Sequence, residues 1–233
     1  MTDDVNARLA QLRASHAALT AWVELASLTD DAAHAASRLP GWTRGHVLTH
    51  LARNADGIVR TLNGALRGEI VERYPGGDEA KQAAIAAGAR RSADELRADV
   101  RDSTERLDQS LAAVAAADGW QLPTADGHFA SRWLARRWRE VEIHRVDLDA
   151  GYSPDQWSPE FVDYLLGSVT RTLDSRSGEL GPVLIESGRV VLNAGEPGET
   201  TVLAPPWAVA AWLVGREASA EPMRGVPGLL PWI

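Results

Sequence analysis

Four stretches of this chain repeat apolar residues every three or four positions, and no fold can leave four such stripes facing water. Val5, Leu9, Leu12, Leu19 and Val23 mark the first stripe, on a helix expected over residues 3–28. Leu48, Leu51, Ala55, Ile58 and Leu62 mark the second, on a helix that Thr43 caps and that runs to about Leu66. Leu96, Val100, Leu107, Leu111 and Val114 mark the third, which Ser92 and Glu95 open as a capping box. Leu134, Trp138, Val141 and Leu148 mark the fourth, expected over residues 129–149 and stopped by Gly151. A stripe of this period buries itself against another helix, so the four together predict a four-helix bundle. Residues 29–40 read as a connector. Residues 68–91 form a long crossover with a turn at Tyr74-Pro75-Gly76-Gly77 and a short helix after it. A connection of that length is uncommon unless it crosses a bundle or covers a site.

The pattern changes after Gly151. Tyr152-Ser153-Pro154 makes a linker, and Ser158 caps a helix with Pro159 at its first position. The segment GPVLIESGRVVLNAGEPGETTVLAP reads as three short strands joined by Ser-Gly and Gly-Glu-Pro-Gly turns. A last helix starts at Pro205-Pro206 and a proline-rich tail follows. The fold class is therefore mainly α with an α+β second domain, a bundle over residues 1–152 and a small α+β domain over 153–233.

The net charge of −8 disfavours nucleic acid and anionic membranes as partners. No apolar run approaches the roughly 18 residues of a membrane span, and MTDDVNARLAQ lacks the features of a signal peptide; a cytoplasmic protein is expected. The absence of cysteine excludes disulfides, thiolate metal sites and a protein-borne sulfur nucleophile. Any thiol chemistry must use a small-molecule thiol. The nine Trp serve core packing first and pocket lining second. Arg132, Arg136, Arg137 and Arg139 are either a solvated helix face or a small anion site.

Beside two of the core stripes run polar ones. The second helix carries His46, His50, Arg53, Asn54 and Gly57, and the fourth carries Arg137, Glu140, His144 and Asp147. A mid-helix glycine costs about 1 kcal/mol relative to alanine, so Gly57 needs a packing or ligand reason. His46 and His50, and likewise Glu140 and His144, are four residues apart and share a helix face. If the two helices are neighbours, two imidazoles and a carboxylate converge on one cation. Three protein ligands with an open position are the pattern of a catalytic zinc site. One histidine of the HxxxH pair can instead be structural. His16, on the first apolar stripe, reads as a buried hydrogen-bonded core histidine before it reads as a ligand. Asp147, near a helix C-terminus that disfavours an anion, is either a carboxylate holding a ligand imidazole or an exposed solubilising residue.

GWTRGHVLTHLARNA and WREVEIHRVDL together resemble the mycothiol-dependent maleylpyruvate isomerases of the DinB/YfiT-like superfamily. The similarity runs nearly end to end, to a Gly215-Arg216 pair in the second domain. The resemblance implies that His50, Glu140 and His144 bind a divalent metal, usually zinc, with His46 as a neighbour. It implies that Arg216 helps form the active-site cleft. Lys81 stands in DEAKQAAI, where relatives often have arginine; lysine keeps the charge without the bidentate fork. Arg53, Asn54 and Arg137, beside the ligands, are expected to contact the cofactor. The implied cofactors are zinc and mycothiol. The implied reaction is cis–trans isomerisation of maleylpyruvate to fumarylpyruvate in gentisate-type aromatic catabolism, by thiolate addition, bond rotation and elimination. The partners are then a dicarboxylate substrate and a low-molecular-weight thiol, with the chain a monomer or weak dimer. The same site also suits a thiol S-transferase, or, with closed coordination, a non-catalytic metal-binding module.

Overall fold

A computed structural model describes residues 2–25, 27–169, 183–187, 190–194, 200–216 and 223. The chain divides into Met1–Ala150 and Gly151–Ile233. The division falls at Gly151, whose φ of 87° suits only glycine well, rather than after residue 152.

In the first unit the helices are α1 (Thr2–Val23), α2 (Asp30–His34), α3 (Arg44–Leu66), α4 (Gly77–Gly88), α5 (Ala93–Ala116) and α6 (Arg132–Asp147). A two-residue antiparallel pair, β1 (Pro123–Thr124) and β2 (His128–Phe129), precedes α6. The bundle is α1, α3, α5 and α6, with α3 and α1 each packed on both α5 and α6. The four stripes supply its interior. Leu12, Leu19, Leu48, Leu51, Leu96, Leu107 and Val141 are all fully buried.

Helix ends differ from the sequence reading for local reasons. α1 stops at Val23 rather than near residue 28 because Leu28 must turn back into the core. Arg97 fixes that turn, donating from Nε to the Val23 carbonyl (2.8 Å) and from Nη2 to the Leu28 carbonyl (3.2 Å). The connector after it holds α2, whose cap Thr29 accepts from the Ala32 amide. α6 starts at Arg132, not 129, because the Ala130 and Ser131 amides donate to Leu122 and Trp120 in the preceding loop.

Close contacts at its start and middle hold α3 in place. At its N-terminus Arg44 clamps the end of α6, donating from Nε to the Leu148 carbonyl (2.6 Å) and from Nη2 to the Asp149 carbonyl (2.8 Å). These are carbonyls that a helix end leaves without partners. Farther along, Gly57 lets the crossover lie directly on α3. A Cβ there would meet Arg73 Cγ at 2.8 Å and Tyr74 Cε1 at 2.9 Å, so the glycine is a packing requirement.

In the second unit, α7 (Pro159–Val169) opens as expected, with Ser158 Oγ accepting from the Phe161 amide. The strands β3 (Val183–Ser187), β4 (Val190–Ala194) and β5 (Thr200–Leu203) form one sheet in the order β4-β3-β5. β3 is central, antiparallel to β4 and parallel to β5. Most of the turn residues between the strands, and the proline-rich tail, lie outside the described residues. α8 (Pro206–Leu213) packs on α7. No helix among the described residues is long and apolar enough to cross a membrane.

Candidate metal centre

α3 begins with a reciprocal cap that uses the first histidine of HxxxH. Thr43 Oγ1 accepts from the His46 amide (3.4 Å), and the His46 ring Nδ1 accepts from the Thr43 amide (3.1 Å). Burial and the Arg90 guanidinium lower the pKa of His46, which suits a ring nitrogen acting as acceptor. His46 is a capping residue. One turn later His50 faces α6, and Trp42 lies against both rings, with centroids 5.9 Å from His46 and 5.7 Å from His50.

On α6, Glu140 and His144 share the facing side. His50 Nε2 is 2.9 Å from Glu140 Oε2, and His144 Nε2 is 3.6 Å from the same oxygen. The two imidazoles meet edge to face at 4.5 Å. One donor atom from each of the three residues lies within 4.8 Å of the others. No fourth His, Cys, Asp or Glu among the described residues joins this group. Asp147, buried to 1% exposure, places Oδ2 2.8 Å from His144 Nδ1. It is therefore the carboxylate that holds an imidazole rather than a solubilising group.

The electrostatics favour a cation. Burial alone would raise the Glu140 carboxyl, but the hydrogen bonds and charges of His144 and His50 hold it well below the usual carboxylate range. Burial works against protonation of His144, yet Asp147 and Glu140 raise its pKa. Burial, then the His144 charge, push His50 down. Two imidazoles, one ionised carboxylate and a buried carboxylate behind one imidazole are the donor set of a three-ligand divalent site. His50 Nδ1 is also buried without a hydrogen-bond partner. The residues fit a metal.

The other expected site residues are dispersed. Arg137 turns inward to 1% exposure, donating to the Leu51 carbonyl (2.8 Å), Asn54 Oδ1 (3.0 Å) and His16 Nε2 (3.3 Å). Burial lowers its pKa to about 10, against the pull of Glu140, so it stays charged at neutral pH. Asn54 is likewise buried. His16 is the core histidine expected, its Nδ1 2.8 Å from Asp108 Oδ1. Arg53 is ion-paired with Asp99 and with Asp56 at 3.0 Å. Lys81 sits over the Tyr74 ring at 5.1 Å. Arg216, in the second unit, follows α8. With Arg137 inside and Arg132 exposed, the α6 arginines do not form one anion site. Sequence reasoning missed the placement of Trp42 against the two histidine rings. Its signal in the sequence was its place just before the cap, as the second residue of GWTRGH.

Fold and site define a class: a helical bundle that brings two histidines and a glutamate from two adjacent helices together as a candidate divalent-metal site. A family model described as the mycothiol maleylpyruvate isomerase N-terminal domain matches residues 12–149. The chain belongs to that family. Among solved structures, the crystal structure of the mycothiol-dependent maleylpyruvate isomerase superposes with a TM-score of 0.81 at 27% identity, covering 98% of this chain and 97% of that one. A histidine-to-alanine mutant of such an isomerase gives 0.82 at 25% identity, with 98% and 97% coverage. No curated protein sequence matches this chain.

Proposed function

We propose that this chain is a zinc-dependent, mycothiol-using isomerase that converts maleylpyruvate to fumarylpyruvate, in the cytoplasm, within gentisate-type aromatic catabolism. The observation that carries the reading is the convergence of His50, Glu140 and His144 within 4.8 Å in a chain of this family that has no cysteine of its own. A metal bound there would supply a Lewis acid able to keep a cofactor thiol ionised near neutral pH, and that thiol would supply the nucleophile for reversible addition to the cis double bond. His50 from α3 and Glu140 and His144 from α6 would hold the ion. Asp147 keeps the His144 proton on Nδ1, which leaves Nε2 free to ligate. Arg137, three residues before Glu140 within α6, carries a fixed positive charge near it. Asn54 accepts from it, and any cofactor contact by this pair or by Arg53 is made from those paired positions. Lys81 and Arg216 are the cations assigned to the substrate carboxylates.

The test is metal analysis paired with product analysis. The purified protein should carry about one zinc per chain and turn maleylpyruvate into fumarylpyruvate only when thiol is added, leaving the thiol unchanged. His50→Ala and His144→Ala should lose metal and activity together, while His46→Ala keeps its metal. Activity that survives metal loss would sink the mechanism. A stable thioether as product would make the protein an S-transferase instead.

A further inference from the structure

The crossover is held tightly to α3 along its length. Besides Gly57, a Cβ on Gly64 would stand 2.6 Å from Val71 Cγ2. Between this strap, α3 and α4 lies a pocket of about 510 Å3, within the range of small-molecule sites. Val59, Val71, Ala80 and Ala84 give it apolar walls. Its charged lining is otherwise almost all of one sign, with Arg53, Arg60, Arg67, Arg73 and Lys81 against the single carboxylate of Asp56.

That carboxylate is already taken, by Arg53 at 3.0 Å and Arg106 at 2.7 Å. Arg53 also holds Asp99, and Arg67 holds Glu69. Arg60, Arg73 and Lys81 make no ion pair with any described residue. The contacts that Arg73 and Lys81 do make are with aromatic side chains. Arg73 donates to the Tyr74 hydroxyl at 2.9 Å, and its guanidinium lies 4.4 Å from the Tyr74 ring and 5.3 Å from that of Trp133. Lys81 approaches the Tyr74 ring at 5.1 Å. In a chain of net charge −8, three cations without a counter-charge around one pocket repel one another unless an anion joins them.

We propose that this pocket is a carboxylate-binding subsite, in which Arg60, Arg73 and Lys81 hold an acid group of a small anionic ligand. The identity of the acid as the isomerase substrate rests on the reaction proposed above; the pocket's affinity for a carboxylate does not. Arginine suits the role because its planar fork matches a carboxylate.

Maleate, a cis dicarboxylate, is the probe. Titrated calorimetrically into the full-length protein as purified, it should bind, weaken with added salt, and lose about tenfold or more in affinity in Arg60→Gln and in Arg73→Gln. Both variants should keep their metal content. Arg60 is exposed, so Arg60→Gln carries little risk to folding. The uncharged diamide of maleate should not bind, and His50→Ala should still bind maleate. Equal maleate affinity in wild type and both arginine variants would overturn the subsite, as would binding lost only in His50→Ala, or no binding at all. A protein that binds maleate through these arginines but isomerises nothing would refute the reaction and leave the pocket standing. An active isomerase whose KM is unmoved in both variants would refute the pocket alone.

Discussion

The Asp147 carboxylate, 2.8 Å from His144 Nδ1, decides which imidazole nitrogen is left to bind a metal. Asp147→Asn keeps the shape but removes the charge behind the ligand. Its metal affinity, measured by competition with a chromogenic chelator, should fall about 10- to 100-fold. An unchanged affinity would remove Asp147 from the site. His16 gives a second prediction at this scale. Its Nε2 accepts from Arg137 and its Nδ1 faces Asp108, an arrangement that needs a neutral ring. Burial lowers its pKa from 6.5. Below about pH 6.5 the unfolded chain therefore takes up this proton before the folded one does. The stability from neutral His16 is present above that pH and is lost as pH falls toward the folded-state pKa. Glutamine does not titrate, so His16→Gln should flatten the acid-side fall in melting temperature. Parallel curves for variant and wild type would contradict this.

At the scale of the element, α3 bears the centre because three neighbours fix it at once. Arg44 ties its start to the end of α6, Gly45 lets Ala89 approach its first turn, and Gly57 lets the strap lie on its middle. In an exposed helix Gly57→Ala would stabilise by about 1 kcal/mol. Here the new methyl would stand 2.8 Å from Arg73 Cγ, 2.9 Å from Tyr74 Cε1 and 3.3 Å from the Arg73 carbonyl oxygen. Overpacking of this kind costs about 1–3 kcal/mol and outweighs the helix gain. Gly57→Ala should thus lower the melting temperature and speed proteolysis within residues 67–76. A raised melting temperature with an intact strap would show that the strap yields freely.

At the scale of the whole molecule, the second unit carries the Gly215-Arg216 pair at the end of α8. Gly215, at φ 72°, donates its amide to Trp212, and the Arg216 amide donates to Ala211 at 2.7 Å. This is a Schellman closure of α8, to which the Arg216 side chain adds a bond from Nη1 to the Val214 carbonyl at 2.7 Å; Arg216→Lys leaves the two backbone bonds in place. If Arg216 meets the substrate, that variant should keep fold and metal while kcat/KM drops about 10- to 1,000-fold, or roughly 1.4–4 kcal/mol of transition-state stabilisation. Steady-state kinetics beside circular dichroism and metal analysis would check it. Wild-type kinetics would leave Arg216 as a capping residue only.

The four helices were legible in the sequence because an apolar period of 3.6 and a side-chain cap are local properties. Thr43 and Ser92 open their helices where the residues say they do, and the i, i+4 spacing puts Glu140 and His144 on one face before any fold is known. The resemblance singled out His50 within HxxxH, whereas the physical reason needed the structure. His46 is used up in the cap with Thr43, and only the α3–α6 packing brings His50 to Glu140. Where α1 stops was likewise a tertiary matter, since Arg97, far along the chain, holds the turn. So was the inward course of Arg137, which shares its sequence stripe with Glu140 yet bonds to Leu51 and His16. β5 pairs with the far edge of β3 because chain reversal fixes a strand's direction but not its neighbour. Periodicity and capping are set within a few residues; partner choice is set by which surfaces pack, and the chain does not write that locally.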